Sequence, residues 1–212
     1  MTQVATLSTE VRNIIVKFNK AFYEQERQGQ SLFTKKSNVG ILAISLYAMR
    51  DGADSRVLHI LEEGIVDLHR YLDDAEINTL LENYHVVVKT LLGSMNTNSN
   101  RFMLPKEVVR LCSTLVSKSD DKRVYLPYAG DGSFLDAVAS NAECIGFEQN
   151  EYLWAIGQIL QQSKETAGAI RLGMPAEVRG KFDSIFTFPP MGIGTREEKD
   201  IVSHLSDLAT NH

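Results

Sequence analysis

Two cysteines in 212 residues cannot build a disulfide framework or a four-ligand zinc site, so Cys112 and Cys144 read as small core residues. No run of about 18 apolar residues occurs, which excludes a transmembrane helix, and no membrane partner is expected. The opening Met1-Thr-Gln-Val-Ala lacks the basic start and apolar centre of a secretory signal, and an intracellular, cytoplasmic protein is expected. No period of about 20–50 residues recurs, so a solenoid is not expected. Positive charge is in deficit: 22 Lys/Arg stand against 27 Asp/Glu, a net −5 that argues against coating nucleic acid by charge alone while leaving room for a local basic groove. The 43% hydrophobic and 23% charged residues exclude wholesale disorder.

The charge is uneven. Residues 1–50 carry seven Lys/Arg and three Asp/Glu, and residues 51–100 carry three and nine. Differently solvated helix faces account for such a split, and so does a first segment that faces an anion such as DNA. This half of the chain reads as helices. Val11, Ile14, Ile15, Phe18 and Phe22 form one apolar helical stripe, with Ser8 or Thr9 to cap it and Gly29 to stop it. A second helix is expected over 38–50, and a third carries Val57, Leu58, Leu61, Ile65, Leu68 and Leu72. A fourth runs from Asp73 or Asp74 to Gly93, with Ile77, Leu80, Leu81, Tyr84, Val88 and Leu91 inward. Four amphipathic helices on short connections predict a small bundle over residues 1–95. His59, His69 and His85 lie on these helices with no metal-ligand pattern.

Residues 93–100, Gly-Ser-Met-Asn-Thr-Asn-Ser-Asn, are small, polar and aperiodic, as a linker should be. Beyond them the pattern changes. A helix is expected over 105–117, with Pro105 in its first turn. Short β-like runs at 123–127, 143–147, 169–172 and 183–188 then alternate with helical runs near 133–141 and 150–164. Such alternation predicts an α/β domain with a parallel sheet over 101–212.

Three segments carry chemistry. Gly130-Asp131-Gly132 places a G-x-G turn between a strand and a helix, where the backbone can approach a ligand and the helix start adds amide donors. Position 135 is Leu, so the full dinucleotide fingerprint is missing. Glu148 ends the second strand 18 residues after Gly130, close to the spacing of about 20 for an acid that accepts ribose hydroxyls. A solvated strand-end carboxylate is the plainer reading of the same residue. Finally, 183–188 runs into Pro189-Pro190, so the chain must leave the sheet at its carboxyl edge, where open α/β sheets hold ligands.

Together these segments resemble the N-6 adenine DNA methyltransferases, especially the modification subunits of type I restriction–modification systems. Arg101-Phe102-Met-Leu-Pro105 through Leu111 is similar to the family's F-x-T-P-x-x-V motif. Leu126-Pro127-Tyr128-Ala-Gly130-Asp-Gly132-Ser-Phe134-Leu135 is similar to D-P-x-x-G-x-G-x-F-L, and Gly146-Phe147-Glu148 matches G-x-E. Phe182-Asp183-x-Ile185 followed by Phe188-Pro189-Pro190-Met191-Gly192 is similar to F-D-x-I-x-x-N-P-P-F-G. The resemblance covers residues 101–194. It implies a Rossmann-like fold that binds S-adenosylmethionine through Phe102, Pro105, Pro127, Tyr128, Gly130, Gly132, Phe134 and Glu148. It also implies methyl transfer to adenine in double-stranded DNA, with Phe188, Pro189 and Pro190 in the catalytic motif, and a specificity or other partner subunit.

The departures are as specific as the matches. Leu126 stands where the family has Asp, Met174 where it has the acid that contacts the cofactor's adenine, and Phe188 where an Asn accepts a hydrogen bond from the target amino group. Four strands can be placed where the family's sheet has seven. The family's fifth strand would lie beside the fourth, so residues near 196–209 or another chain, in a homo-oligomer for example, are expected to cover that edge. Three readings follow: a DNA adenine methyltransferase, a non-catalytic or truncated relative that binds cofactor or a partner subunit, and an unrelated nucleotide-binding domain.

Overall fold

Residues 41–47 are each no more than 1% exposed, so the helix carrying them is surrounded on every side. A computed structural model of the chain describes residues 7–28, 38–94, 106–118, 123–130, 132, 134–135, 142–162, 169–174, 178–187 and 203–209. It divides into two compact units, Met1–Asn98 and Ser99–His212.

The first unit is helical. Helix α1 (Thr9–Gln28) starts where the Ser8 hydroxyl accepts the Val11 N–H at 3.2 Å, and its whole apolar stripe from Val11 to Phe22 is buried. Phe18 and Phe22 pack with Tyr71 at centroid distances of 5.4 and 5.5 Å. The surrounded helix is α2 (Asn38–Ala48), which packs against α1 and the last helix of the unit. It is therefore not amphipathic as expected; apolar residues fill all its faces, the pattern of a central helix. Its buried Ser45 hydroxyl accepts the Val66 N–H at 2.9 Å.

The third expected helix is shorter than its apolar positions imply. Helix α3 (Ser55–Leu61) is capped by Asp54, and two 3-10 turns follow, Glu62–Gly64 and Leu68–Arg70. Gly64 lies so close to α2 that a Cβ there would sit 3.1 Å from Ile44 Cδ1. Tight turns, rather than a continuous helix, carry Leu68 and Leu72 into the core.

The fourth expected helix is two, α4 (Asp74–Glu82) and α5 (Tyr84–Ser94). Asn83 breaks it. Its N–H and its side-chain amide both donate to the Thr79 carbonyl, at 3.3 and 2.9 Å, while its own carbonyl accepts the Val87 N–H that opens α5. At the start of α4, the Asp73 side chain accepts the Glu76 N–H (2.9 Å) and Glu76 accepts the Asp73 N–H (3.0 Å).

The second unit is α/β. Helix α6 (Lys106–Lys118) precedes strands β1 (Arg123–Leu126) and β2 (Glu143–Glu148), helix α7 (Glu151–Gln162), and strands β3 (Ala169–Leu172) and β4 (Ser184–Ile185). The four strands form one parallel sheet in the order β3-β2-β1-β4. Alternate residues face opposite sides. Tyr125 and Phe147 join Phe182, Val178, Leu205 and Leu208 in one cluster, with Tyr125 stacked on Phe182 at 5.0 Å. Both cysteines are free buried thiols, and burial pushes Cys144 up to about 11.

Both edges of the sheet are managed. On β3, the Ile170 carbonyl accepts from Trp154 Nε1 (3.1 Å) and Gln158 Nε2 (3.0 Å) of α7. Beside β4, residues 203–208 are helical, the Leu208 carbonyl accepts the Phe182 N–H at 2.9 Å, and Ala209 forms a parallel bridge with Phe182. The expected cover by residues near 196–209 is thus present at its first rung. The paired part of β4 is shorter than expected, although Phe186 still donates its N–H to the Tyr125 carbonyl at 3.0 Å. Residues 188–200, most of the expected helix near 133–141, and Gly29 lie outside the described residues.

The capping geometry gives a first test. Replacing Asp73 with Ala removes the half of the capping box that the Asp73 carboxylate makes, leaves the backbone N–H at 73 able to donate to Glu76, and should cost about 1 kcal/mol. Urea melts followed by far-ultraviolet circular dichroism should register this as a lower midpoint; an unchanged midpoint would contradict the cap.

Candidate functional site

The strand order reverses between β1 and β4, and the carboxyl ends of strands at such a reversal are where open α/β sheets hold ligands. The chain leaves β1 there through Pro127, Tyr128, Ala129 and Gly130. It leaves β2 at Glu148, β3 at Gly173 and Met174, and β4 at Phe186 and Thr187. The chemically suggestive residues on three separate segments are therefore brought to one edge of the sheet.

Glu148 is the centre of this edge. It is only 7% exposed, and its two carboxylate oxygens accept two backbone donors: Gly130 N–H on Oε2 and Asn150 N–H on Oε1, each at 2.8 Å. Buried carboxyl oxygens need such donors to offset the water they have lost. An ionised carboxylate has about four acceptor positions, so two backbone bonds leave capacity for ligand hydroxyls. Backbone bonds reinforce the junction: Ala129 N–H donates to the Phe147 carbonyl (2.8 Å) and Gly173 N–H to the Glu148 carbonyl (3.0 Å). The plainer expectation of a solvated strand-end Glu does not hold, because the side chain turns inward onto the glycine turn.

The glycines have distinct physical tasks. Gly130 (φ +57°) and Gly132 (φ +76°) adopt left-handed backbone, and Gly132 N–H closes a turn onto the Ala129 carbonyl at 2.9 Å. A Cβ at Gly132 would meet Ile170 Cδ1 at 2.5 Å. At Gly146 a Cβ would meet Ala129 Cβ at 2.7 Å and Leu135 Cδ1 at 3.0 Å. The Gly of Gly146-Phe147-Glu148 thus lets the turn settle against β2, which places Gly130 within reach of Glu148.

The remaining expected residues divide. Pro127 is buried and Tyr128 half-buried beside the turn. Phe134 is 2% exposed and packs on Phe186 at 5.1 Å, which joins the glycine turn to the end of β4 from within the core. Leu126 is buried at the end of β1, and Met174 is 52% exposed beyond β3. Phe102, Pro105, Phe188, Pro189 and Pro190 lie outside the described residues. Asp183 works at the opposite end of the strand, where its carboxylate accepts the Arg123 N–H at 2.9 Å. Among the described residues no group of three His, Cys, Asp or Glu could hold a metal ion, and no helix is long and apolar enough to cross a membrane.

Two site residues escaped the sequence reading. Asn150 both donates to Glu148 and caps α7, its Oδ1 accepting the Leu153 N–H at 3.0 Å. An Asn immediately before a helical run is a legible cap signal. Thr187 has a buried hydroxyl with no hydrogen-bond partner, and nothing in the sequence marks it.

No family model matches the chain, and no curated protein matches its sequence. Solved structures do. The type I restriction–modification system methyltransferase subunit from Streptococcus thermophilus is 11% identical with a TM-score of 0.50, over 94% of this chain and 49% of that one. A candidate class I S-adenosylmethionine-dependent methyltransferase from Listeria monocytogenes is 12% identical with a TM-score of 0.49, over 89% and 60%. A modification subunit of a candidate type I restriction enzyme from Vibrio vulnificus is 15% identical with a TM-score of 0.46, over 93% and 59%. At these identities the likeness is one of fold, and it rests on the Streptococcus structure. The chain spans about half to three-fifths of the length of these proteins.

The packing at Gly132 makes a sharp prediction. Gly132→Ala should cost about 2 kcal/mol, from the left-handed backbone and the collision with Ile170 Cδ1. Ile170→Val deletes that methyl, so the double variant should lose less than the sum of the single losses. Trp154, the chain's single tryptophan, reports unfolding of this unit by fluorescence. Simple additivity would show that the two side chains do not meet.

Proposed function

We propose that the second unit is a Rossmann-like S-adenosylmethionine-binding domain, and that the chain belongs with the N-6 adenine DNA methyltransferases that serve as modification subunits in type I restriction–modification systems. The carrying observation is the buried Glu148 carboxylate, bonded to Gly130 of the glycine turn at the reversal point of a β3-β2-β1-β4 sheet. In this reading Glu148 accepts ribose hydroxyls with its remaining lone pairs. Pro127, Tyr128, Gly130 and Gly132 wall the cofactor, with Phe134 bracing them from behind, and Phe102 and Pro105 close the pocket. The bound cofactor supplies an electrophilic methyl group on a sulfonium. The protein's own task is to hold that group in line with an acceptor amine at Phe188, Pro189 and Pro190, with double-stranded DNA and a specificity subunit as partners.

A second reading has its own support. Leu126 is buried and apolar where the family carries Asp, and Phe188 cannot accept a hydrogen bond from an amino group. Loss of one positioned polar group of this kind lowers rates by a factor of about 100–1000. A relative that binds cofactor or a partner subunit with little methyl transfer fits those two positions better than a proficient enzyme does.

Calorimetry with S-adenosylmethionine tests the cofactor reading. Wild type should bind saturably, and Glu148→Gln should weaken binding about tenfold or more, with Trp154 fluorescence confirming a folded unit. Failure of wild type to bind at millimolar cofactor would remove the proposal. Labelled methyl transfer to unmethylated duplex DNA then separates the two readings. A low wild-type rate that rises with Phe188→Asn marks a catalytic site dimmed at one position, whereas no transfer by either favours the binding-module reading.

A further inference from the structure

Thr187 follows β4 at the carboxyl edge of the sheet, and its hydroxyl oxygen is closed off from solvent with no hydrogen-bond partner. Its neighbour Phe186 is held in place by Phe134 at 5.1 Å and by its N–H bond to the Tyr125 carbonyl at 3.0 Å. The strand is therefore held as far as Phe186, one residue before the hydroxyl. A buried polar group left unpaired costs stability, and threonine has a close isostere, valine, that would avoid the cost. A group that is costly at rest and follows a strand at the carboxyl edge of an open α/β sheet has a physical reason to exist if a ligand satisfies it.

Position along the sheet identifies which part of the ligand that is. Glu148 ends β2, the glycine turn ends β1, and Thr187 follows β4, and these strands are neighbours in the order β2-β1-β4. If the ribose lies on Glu148, as the function proposed above requires, a ligand crossing this edge towards β4 presents Thr187 with the end opposite its base. In S-adenosylmethionine that end is an α-amino acid. A hydroxyl suits both of its groups, accepting from an ammonium or donating to a carboxylate. We infer that Thr187 is a cofactor-binding residue that reads the amino-acid end of the ligand. Because its oxygen is enclosed, binding brings a local rearrangement at the strand end.

This inference rests on the cofactor reading, and the test keeps the two apart. Calorimetry compares S-adenosylhomocysteine with 5′-methylthioadenosine, which keeps the base, ribose and sulfur but lacks the amino acid. Thr187→Val should weaken S-adenosylhomocysteine about tenfold and leave methylthioadenosine unchanged, while Thr187→Ser keeps wild-type affinity for both. Without ligand, Thr187→Val should melt at or above the wild-type temperature, because it removes an unpaired hydroxyl. Unchanged homocysteine-ligand affinity in Thr187→Val, an equal loss for both ligands, or a lower melting temperature would each overturn the inference while wild-type binding leaves the cofactor reading standing. Absence of wild-type binding to either ligand would overturn both.

Discussion

The hydrogen bond from Gly130 N–H to the Glu148 carboxylate organises the second unit. It joins the turn after β1 to the end of β2, and the second oxygen of the same carboxylate holds Asn150 at the start of α7. One buried carboxyl group thereby sets the relative positions of two strand ends and a helix. The bond is possible only because Gly146 allows the turn to lie against β2 and because Gly130 takes a left-handed backbone. The two glycines and the acid, separated in sequence, act as one device. Removing any of them disturbs the other two before any ligand is considered.

Much of this device was legible, and the parts that were not have physical reasons. Strand β3 coincides with its expected bounds, and β2 and α7 differ from theirs by one or two residues, because short apolar strands and a long amphipathic helix have strong and distinct periodicities. The helical unit was harder. Leu68 and Leu72 keep helical spacing while the backbone between them forms 3-10 turns, and Asn83 interrupts an otherwise continuous apolar pattern. Periodicity records which side chains are inward, and two backbone geometries can satisfy the same list. At the site, Gly130 and Glu148 were legible from type and spacing. The work of Phe134, Asp183 and Thr187 was not, since it depends on which neighbour each side chain meets: an aromatic ring on β4, a backbone N–H on β1, and no hydrogen-bond partner at all.

The apolar departures and the preserved glycines sit on different physical footings. Gly130, Gly132, Gly146 and Glu148 serve the fold itself, through backbone conformation, close approach and a buried carboxyl group that accepts backbone N–H groups. A chain can lose the polar groups that touch a ligand elsewhere and still need the three glycines, and Glu148 holds the turn and α7 whether or not a ligand is bound. Their presence is accordingly strong support for the architecture and weaker support for transfer chemistry. Leu126 shows the reverse case: buried at the end of β1, it satisfies packing without supplying a polar contact.

Strand β4 brings these considerations together, because its two ends are held differently. At its amino end Asp183 pins the Arg123 N–H, Arg123 Nη1 donates to the Lys181 carbonyl at 2.8 Å, and Phe182 N–H donates to the Leu208 carbonyl. Lys181 Nζ adds bonds to the Asp207 and Ala209 carbonyls at 2.6 and 3.1 Å, which ties the strand to the last turn of the 203–208 helix. The residues of the Phe182-Asp183 motif thus serve as anchors at the foot of the sheet. At the carboxyl end, among the described residues, Phe186 packs on Phe134 and donates to the Tyr125 carbonyl, and the Thr187 hydroxyl that follows has no hydrogen-bond partner. Among the described residues, polar contacts gather where the strand enters, and an unpaired hydroxyl stands where it leaves. That asymmetry is what a parallel sheet needs if its carboxyl edge is to exchange partners with a ligand while its other end maintains register.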